Sequence, residues 1–439
     1  KRFNIIGVED AAKIRTDIWN TLNSREKVSS CLLRDEDINT LSYNGKDVVV
    51  IHVPRADYEE RPVYINNNLM RGTYRRRHEG DYHCPEPIIR MMLRDACDDG
   101  NDRMFLEHYT MDDIDIPTLE AYRNMFRVAN LEHVWNGLDH KEFLKQLGGY
   151  TTDRATGKEG LTMAGLLMFG KGLPVRERFD NLRMDYIDKS NLVGDQRYSD
   201  RLTYDGTWEN NIFNFMRMVL PRLTRDLPRP FKMNGIVRED DTPQKKAVRE
   251  AFTNMIIHAD MMISGGLLRV EKYDDKFVLT NPGLLKLPLE QIYAGGESKA
   301  RNQRVQHMLR MIGYGENLGS GFPLILNAWQ EKHWLKPQLI EQPELMQVKL
   351  ELKIVNAENP TAPQRGQKEG QKDGQKELSS RQLEIIHLLE KTPGATMPQI
   401  AEAMAITYRT VRRDMEYLQK SGIISREGGR KEGRWIISK

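Results

Sequence analysis

Apolar residues recur along this chain with the two periods that mark strands and helices, and their changes of period outline its elements. Near the N-terminus, TLSYNGKDVVVIHVPRA sets Asn44-Gly45 between two apolar runs, which predicts a tight hairpin and a strand Val48 to Val53 that stops at Pro54. A second strand pair is expected at Val63 to Ile65 and Thr73 to Arg75. From about Pro87 to Gly149 the pattern is helical and mixed, punctuated by Pro117, Gly137 and Gly148-Gly149. Over Lys245 to Met261, Val248, Ala251, Phe252, Met255 and Ala259 share one helical face, while Glu250, Asn254 and His258 step along the other. RVEKYDDKFVLTNPGLL then predicts two strands, Leu268 to Tyr273 and Phe277 to Thr280, ended by Asn281-Pro282-Gly283. VKLELKIV, Val348 to Val355, alternates like a half-buried closing strand.

The stretch NAENPTAPQRGQKEGQKDGQKEL, 356–378, has almost no apolar residue and cannot bury a core, so it is expected to be a solvated linker. Beyond it, over 379–439, helix starts are marked by capping boxes at Ser379 with Gln382 and at Thr396 with Gln399. Thr407 can cap a third helix running to Gln419. Val411, Met415 and Leu418 form its inward stripe and leave Arg409, Arg412 and Arg413 outside. IISREGGRKEGRWIIS follows with two apolar runs about Gly428-Gly429 and a basic tip of Arg426, Arg430, Lys431 and Arg434. This succession resembles a winged helix-turn-helix, which implies that the third helix enters the major groove of DNA and that these arginines and Lys431 contact it.

Composition sharpens the picture in one respect. The chain has 439 residues with 66 Lys and Arg against 63 Asp and Glu, so the +3 formal charge is close to neutral and any charge for DNA must be local. Residues 379–439 hold about +4 of it, the kind of basic end that releases counterions from phosphates. Three cysteines without CxxC spacing exclude a disulfide scaffold and a zinc framework, and a reducing cytoplasm is the expected compartment. His83 beside Cys84 offers too few ligands for a metal. The longest apolar run, Leu161 to Phe169, is far short of a membrane span, so no membrane partner is expected. Lys1 is not an initiator, and sequence is expected before it.

A carboxylate and an amide one turn apart on a helix suit a magnesium nucleotide. Asn254 can offer its oxygen to the metal while Glu250 orients or deprotonates an attacking water. Downstream, Gly313, Gly315, Gly319 and Gly321 in GYGENLGSGF run into a helix start, an arrangement that favours an anion. The order REAFTNMIIHAD, LTNPG, RNQRVQHMLRMIGYGENLGSG resembles the ATPase-like C-terminal domain of transcriptional regulators related to RecG-type helicases, within the GHKL superfamily. The resemblance implies ATP and magnesium as ligands. It places Glu250 as a general base, Asn254 as a magnesium ligand, and His258, Asn281, Gly283, Gly313, Gly315, Gly319 and Gly321 about the nucleotide. Thr280-Asn281 stand where that superfamily has an aspartate for adenine.

Two other glycine patterns fail their context. Gly165 to Lys171 has GxxxxGK spacing, but Gly172 replaces the magnesium-binding Ser or Thr and four bulky apolar residues fill the loop, so a core helix end is expected. The Rossmann-like glycines of GYGENLGSG follow a helix, not a strand.

The first hundred residues, with VVVIHVP, RPVYINNN and RGTYRRRHEG, resemble the C-terminal part of a Schlafen AlbA-type DNA-binding domain. Arg71, Arg75, Arg76 and Arg77, with Tyr64 and Tyr74, then offer charge for phosphates and rings for unpaired bases. The expected architecture is α+β and multidomain: an AlbA-like α/β domain (1–110), helices leading into a GHKL-like α/β sandwich (111–355), the linker and the winged helix. The expected function is a DNA-binding regulator switched by nucleotide, with homodimerisation on paired half-sites. The alternatives are an ATP-dependent or nucleolytic nucleic-acid-processing enzyme, and a scaffold with a degenerate pocket.

Overall fold

Asn44 and Gly45 both adopt left-handed backbone, at φ 50° and 74°, the geometry that a two-residue hairpin turn demands. Strands β1 (Ile38–Tyr43) and β2 (Lys46–Ile51) therefore pair with Tyr43 opposite Lys46 and Ile38 opposite Ile51. The computed structural model describes residues 4–77, 80–97, 100–180, 182–227, 233–234, 237–238, 241–315, 321–356, 380–404, 406–420, 423–427 and 434–437. The chain divides into two compact units, 1–368 and 369–439. Most of the expected linker lies outside the described residues.

The second expected strand pair forms differently. Tyr64 and Thr73 meet in a single bridge, and β3 (Tyr74–Arg77) pairs instead with β4 (Gly80–His83). Asn68 caps the helical turn Leu69–Gly72 by accepting the Arg71 amide at 2.9 Å, and Gly72 lies so close to the Ile65 backbone that no side chain would fit. The chain is thereby folded back at residue 72, too sharply for a longer ladder.

Helix α1 (Glu86–Asp95) follows, with Ile88, Ile89 and Met91 buried. Every residue of α2 (Met163–Phe169) is buried, and Gly165 lies against the Gly149 backbone where a Cβ would collide. The GxxxxGK spacing thus ends a core helix, with Gly170 as its C-cap.

The main sheet among the described residues has six strands: β5 (Arg183–Asp188), β6 (Asp200–Leu202), β7 (Leu267–Lys272), β8 (Lys276–Pro282), β9 (Gln338–Gln342) and β10 (Gln347–Lys353). Their order is β9-β10-β8-β7-β5-β6, antiparallel throughout except for β7 beside β5. Alternation along β10 buries Val348, Leu350 and Leu352, as the period-two pattern requires. Helices α3 (Pro243–Ile257), α4 (Leu289–Ala294), α5 (Gln303–Arg310) and α6 (Gly321–Gln330) are among the helices of the same unit. Phe252 and Ile256 of α3 share a core with Leu268, Leu279, Leu352 and Trp329, each large side chain contributing about 1.5–3 kcal/mol. The Trp329 indole N–H donates to the Lys353 carbonyl at 2.8 Å and fixes α6 to β10.

One buried ion pair ties the N-terminal segment to the sheet and its helices. Arg301 donates to both Asp95 oxygens at 2.7 and 2.6 Å, to the His258 carbonyl at 2.7 Å and to the Leu284 carbonyl at 2.6 Å. Arg94 beside it reaches Asp260 at 2.8 Å.

In the second unit, helices α7 (Ser380–Lys391), α8 (Met397–Ala403) and α9 (Tyr408–Lys420) surround Ile385, Ile400, Val411, Met415 and Leu418. The Thr396 and Gln399 capping box is formed, whereas Ser379 lies outside the described residues. Strands β11 (Ile424–Glu427) and β12 (Arg434–Ile437) make the wing, fastened to the helices by the Trp435 indole donating to the Ala395 carbonyl at 3.1 Å.

Removing one partner of a buried pair strands the other's charge. Arg301→Met should therefore destabilise the protein by about 3–5 kcal/mol, read as a lower urea midpoint. A midpoint equal to wild type would show that the pair carries no such role.

Candidate functional site

Three polar side chains step down α3 because its spacing keeps them on one face. Glu250, Asn254 and His258 all line one pocket, with His258 as the helix C-cap. Leu279, Asn281 and Val348 line it from the sheet, Leu284 to Leu287 from the strap after β8, and Glu297, Lys299 and Arg301 from the segment before α5. Its wall is mainly apolar, which suits a planar ring.

The glycines enter for separate reasons. Gly315 and Gly321 line the pocket, and Gly321 opens α6 directly against Glu250, where a Cβ would collide with the carboxylate. Gly313 and Gly315 hold φ at 84° and 73°, backbone that other residues resist. Gly283 turns the chain at φ 102° directly over Arg301 and Asp260, and like Gly313 it stands outside the pocket lining. Gly319 lies outside the described residues.

Electrostatics follow from burial. Desolvation pushes the Glu250 carboxyl above its ordinary range, partly offset by a hydrogen bond from the Asn254 amide. Burial first, and then the nearby Arg301 guanidinium, lower His258 to about 4, so at neutral pH its imidazole is an uncharged hydrogen-bonding group. Asn281 is buried, its amide donating to the Pro282 carbonyl at 3.3 Å. The lysines at the pocket wall are Lys286 and Lys299. A carboxylate and an amide oxygen form a hard donor set of the kind magnesium takes when phosphates complete its shell. Sequence reasoning missed Arg301, Lys286, Lys299 and the apolar strap, since their partners lie far away in the chain.

The C-terminal surface is simpler. Arg412 and Arg413 stand on the open face of α9, with side chains 63% and 73% exposed, beside Glu416 and Asp414. Arg434 of the wing pairs with Glu427 at 3.2 Å. Exposed pairs of this kind are worth about 0–1 kcal/mol, so a phosphate can displace the acid. The Arg409 side chain, Arg430 and Lys431 lie outside the described residues. The N-terminal arginines are less open. Arg75 is half-buried, Arg76 pairs with Asp81 at 3.1 Å, and the Arg77 side chain lies outside the described residues. Tyr74 stacks on His83 at 4.4 Å, and Cys84 is buried.

Three family models match parts of the chain. Residues 265–350 match the family described as "Putative ATP-dependent DNA helicase recG C-terminal", residues 381–432 match the DeoR-like helix-turn-helix domain, and residues 90–185 match a domain of unknown function (DUF8451). The chain thus carries a RecG-like ATPase-type domain and a C-terminal DeoR-type helix-turn-helix. Among curated proteins, none matches the chain. A crystal structure of the DIP2311 protein from Corynebacterium diphtheriae is similar at 17% identity and a TM-score of 0.43, covering 99% of this chain and 69% of that one. At that score the likeness carries no argument. Among the described residues no helix is long and apolar enough to cross a membrane.

Because the native His258 binds a proton only near pH 4 and an unfolded histidine near 6.5, acid favours the unfolded chain between these values. Glu250, raised by burial, acts in the opposite sense. His258→Gln should therefore lose less stability than wild type between pH 7 and 5, measured by urea midpoints. An equal loss in both would show that His258 titrates normally.

Proposed function

We propose that the protein is a DNA-binding transcriptional regulator in which an ATP-type nucleotide with magnesium, held in the α3 pocket, acts as a conformational switch. The observation that carries the reading is the convergence of Glu250 and Asn254 on Gly321 at the start of α6, inside a largely apolar pocket. The match of residues 265–350 to an ATPase-type family supports it. The DeoR-like match and the exposed arginines of α9 support the DNA-binding half.

In this reading the apolar wall takes the base, Asn281 and His258 offer it uncharged hydrogen-bonding groups, and the start of α6 faces the phosphates. Magnesium, when bound, would neutralise phosphate charge beside Asn254. Glu250, pushed toward its neutral form by burial, becomes a competent base once that cation is near, since a neighbouring positive charge favours the carboxylate. Contact of the start of α6 with phosphates would shift the population of two arrangements of the chain. The Schlafen AlbA-type reading of residues 1–110, the GHKL assignment of the sandwich, the cytoplasmic setting and homodimerisation belong to the same proposal. Paired half-sites would give a dimer its gain in affinity.

A ligand that binds only the native state stabilises it by about 2.7 kcal/mol at a hundredfold excess over its Kd. ATP with magnesium should accordingly raise the melting temperature of wild type and not of Asn254→Ala. No shift in wild type across a nucleotide panel would contradict the switch. Separately, the double variant Arg412→Ala, Arg413→Ala should weaken DNA binding and reduce the slope of log affinity against log salt by about 2. An unaltered slope in fluorescence anisotropy would remove α9 from the DNA interface.

A further inference from the structure

A second cavity, of about 270 Å³, lies where the N-terminal segment meets the strap after β8. Val63 and, from α1, Met91 and Met92 give it an apolar wall, Leu284 and Leu285 line it from the strap, and Arg61 is part of its lining. Those two leucines also line the nucleotide pocket, so one strap serves both spaces. Arg61 is held by backbone oxygens. Its Nε donates to the Ala56 carbonyl at 2.7 Å, and its terminal nitrogens reach the Leu285 and Lys286 carbonyls at 3.3 and 3.4 Å. A guanidinium carries five N–H groups, so these three bonds leave two N–H groups unused.

Charge singles out this arginine. Among the described residues no carboxylate pairs with Arg61: Glu341 pairs with Arg55 at 3.2 Å, Asp95 with Arg301 at 2.6 Å, and the exposed Asp57 makes no ion pair with it. Burial, and then the neighbouring Arg55, lower the Arg61 guanidinium from its ordinary value to about 10. A partly buried charge left unpaired is costly, and an anion that pairs with it relieves that cost. One unmatched positive charge calls for a monoanion, not a polyphosphate. The space fixes the rest of the ligand. An apolar cavity of about 150 Å³ admits benzene, so this one has room for a single ring or a branched chain together with a carboxylate.

We propose that this cavity is a binding site for a small monocarboxylate with an apolar body, the carboxylate meeting Arg61 and the ring or branched chain lying against Val63, Met91 and Met92. A carboxylate matches the planar fork of a guanidinium in shape as well as in charge. The site is separate from the α3 pocket and does not depend on the nucleotide reading.

The test uses phenylacetate as the probe on the full chain, with phenylacetamide and acetate at equal concentration and ionic strength as controls. Phenylacetate should raise the melting temperature progressively with concentration, and neither control should, because one lacks the charge and the other the apolar body. In calorimetric titration Arg61→Gln should weaken phenylacetate about tenfold or more, the loss expected for a hydrogen bond to a charged group. Val63→Phe, which fills the cavity and leaves the guanidinium in place, should weaken it as much. No shift with phenylacetate, an equal shift with either control, or unaltered affinity in either variant overturns the proposal. Should Arg61→Gln fail to fold, Val63→Phe and the two controls decide the matter alone.

Discussion

The contact between Asp95 and Arg301 governs the geometry of the pocket. It joins residues 206 apart in the chain, and both groups are almost wholly buried. A guanidinium satisfied on one side by a carboxylate has donors left for the carbonyls of His258, at the end of α3, and Leu284, in the strap after β8. The spacing between the end of α3 and the strap after β8 is therefore set by a planar fork, which tolerates less error than a single contact would. A buried pair of this kind adds little net stability but is costly to break. Its consequence here is positional.

That fork also shapes the electrostatics. By burial and by proximity to Arg301, His258 is kept neutral, and burial pushes Glu250 the same way. The floor of the pocket is consequently low in charge, while Lys286 and Lys299 stand at its wall. Arg55 and Arg61 of the N-terminal segment donate to carbonyls of the strap that also walls the cavity.

Much of this was legible in the residues, and the limits have physical causes. Local signals were readable: the Asn44-Gly45 turn, the Thr396 capping box, the inward stripe of Val411, Met415 and Leu418, and the buried end of the GxxxxGK stretch. So was the shared face of Glu250, Asn254 and His258, because helical spacing alone dictates it. The pair expected at Val63 to Ile65 and Thr73 to Arg75 forms only as the Tyr64–Thr73 bridge, since nothing in the alternation reveals that Gly72 must pack on the Ile65 backbone. Arg301, Asp95 and Arg61 escaped notice for a different reason. Each is unremarkable beside its sequence neighbours and acquires a role only through a partner hundreds of residues distant, which no local period encodes.

The central claim is that a magnesium nucleotide occupies the cavity between α3 and the strap after β8. Amide hydrogen exchange of the full chain, followed by mass spectrometry with and without magnesium ATP, tests it most directly. The account predicts slower exchange in peptides covering residues 250–258, 281–287 and 299–315, with exchange in 380–404 unchanged in the absence of DNA. Unchanged exchange in the first three regions at saturating nucleotide, or protection confined to other segments, would contradict it.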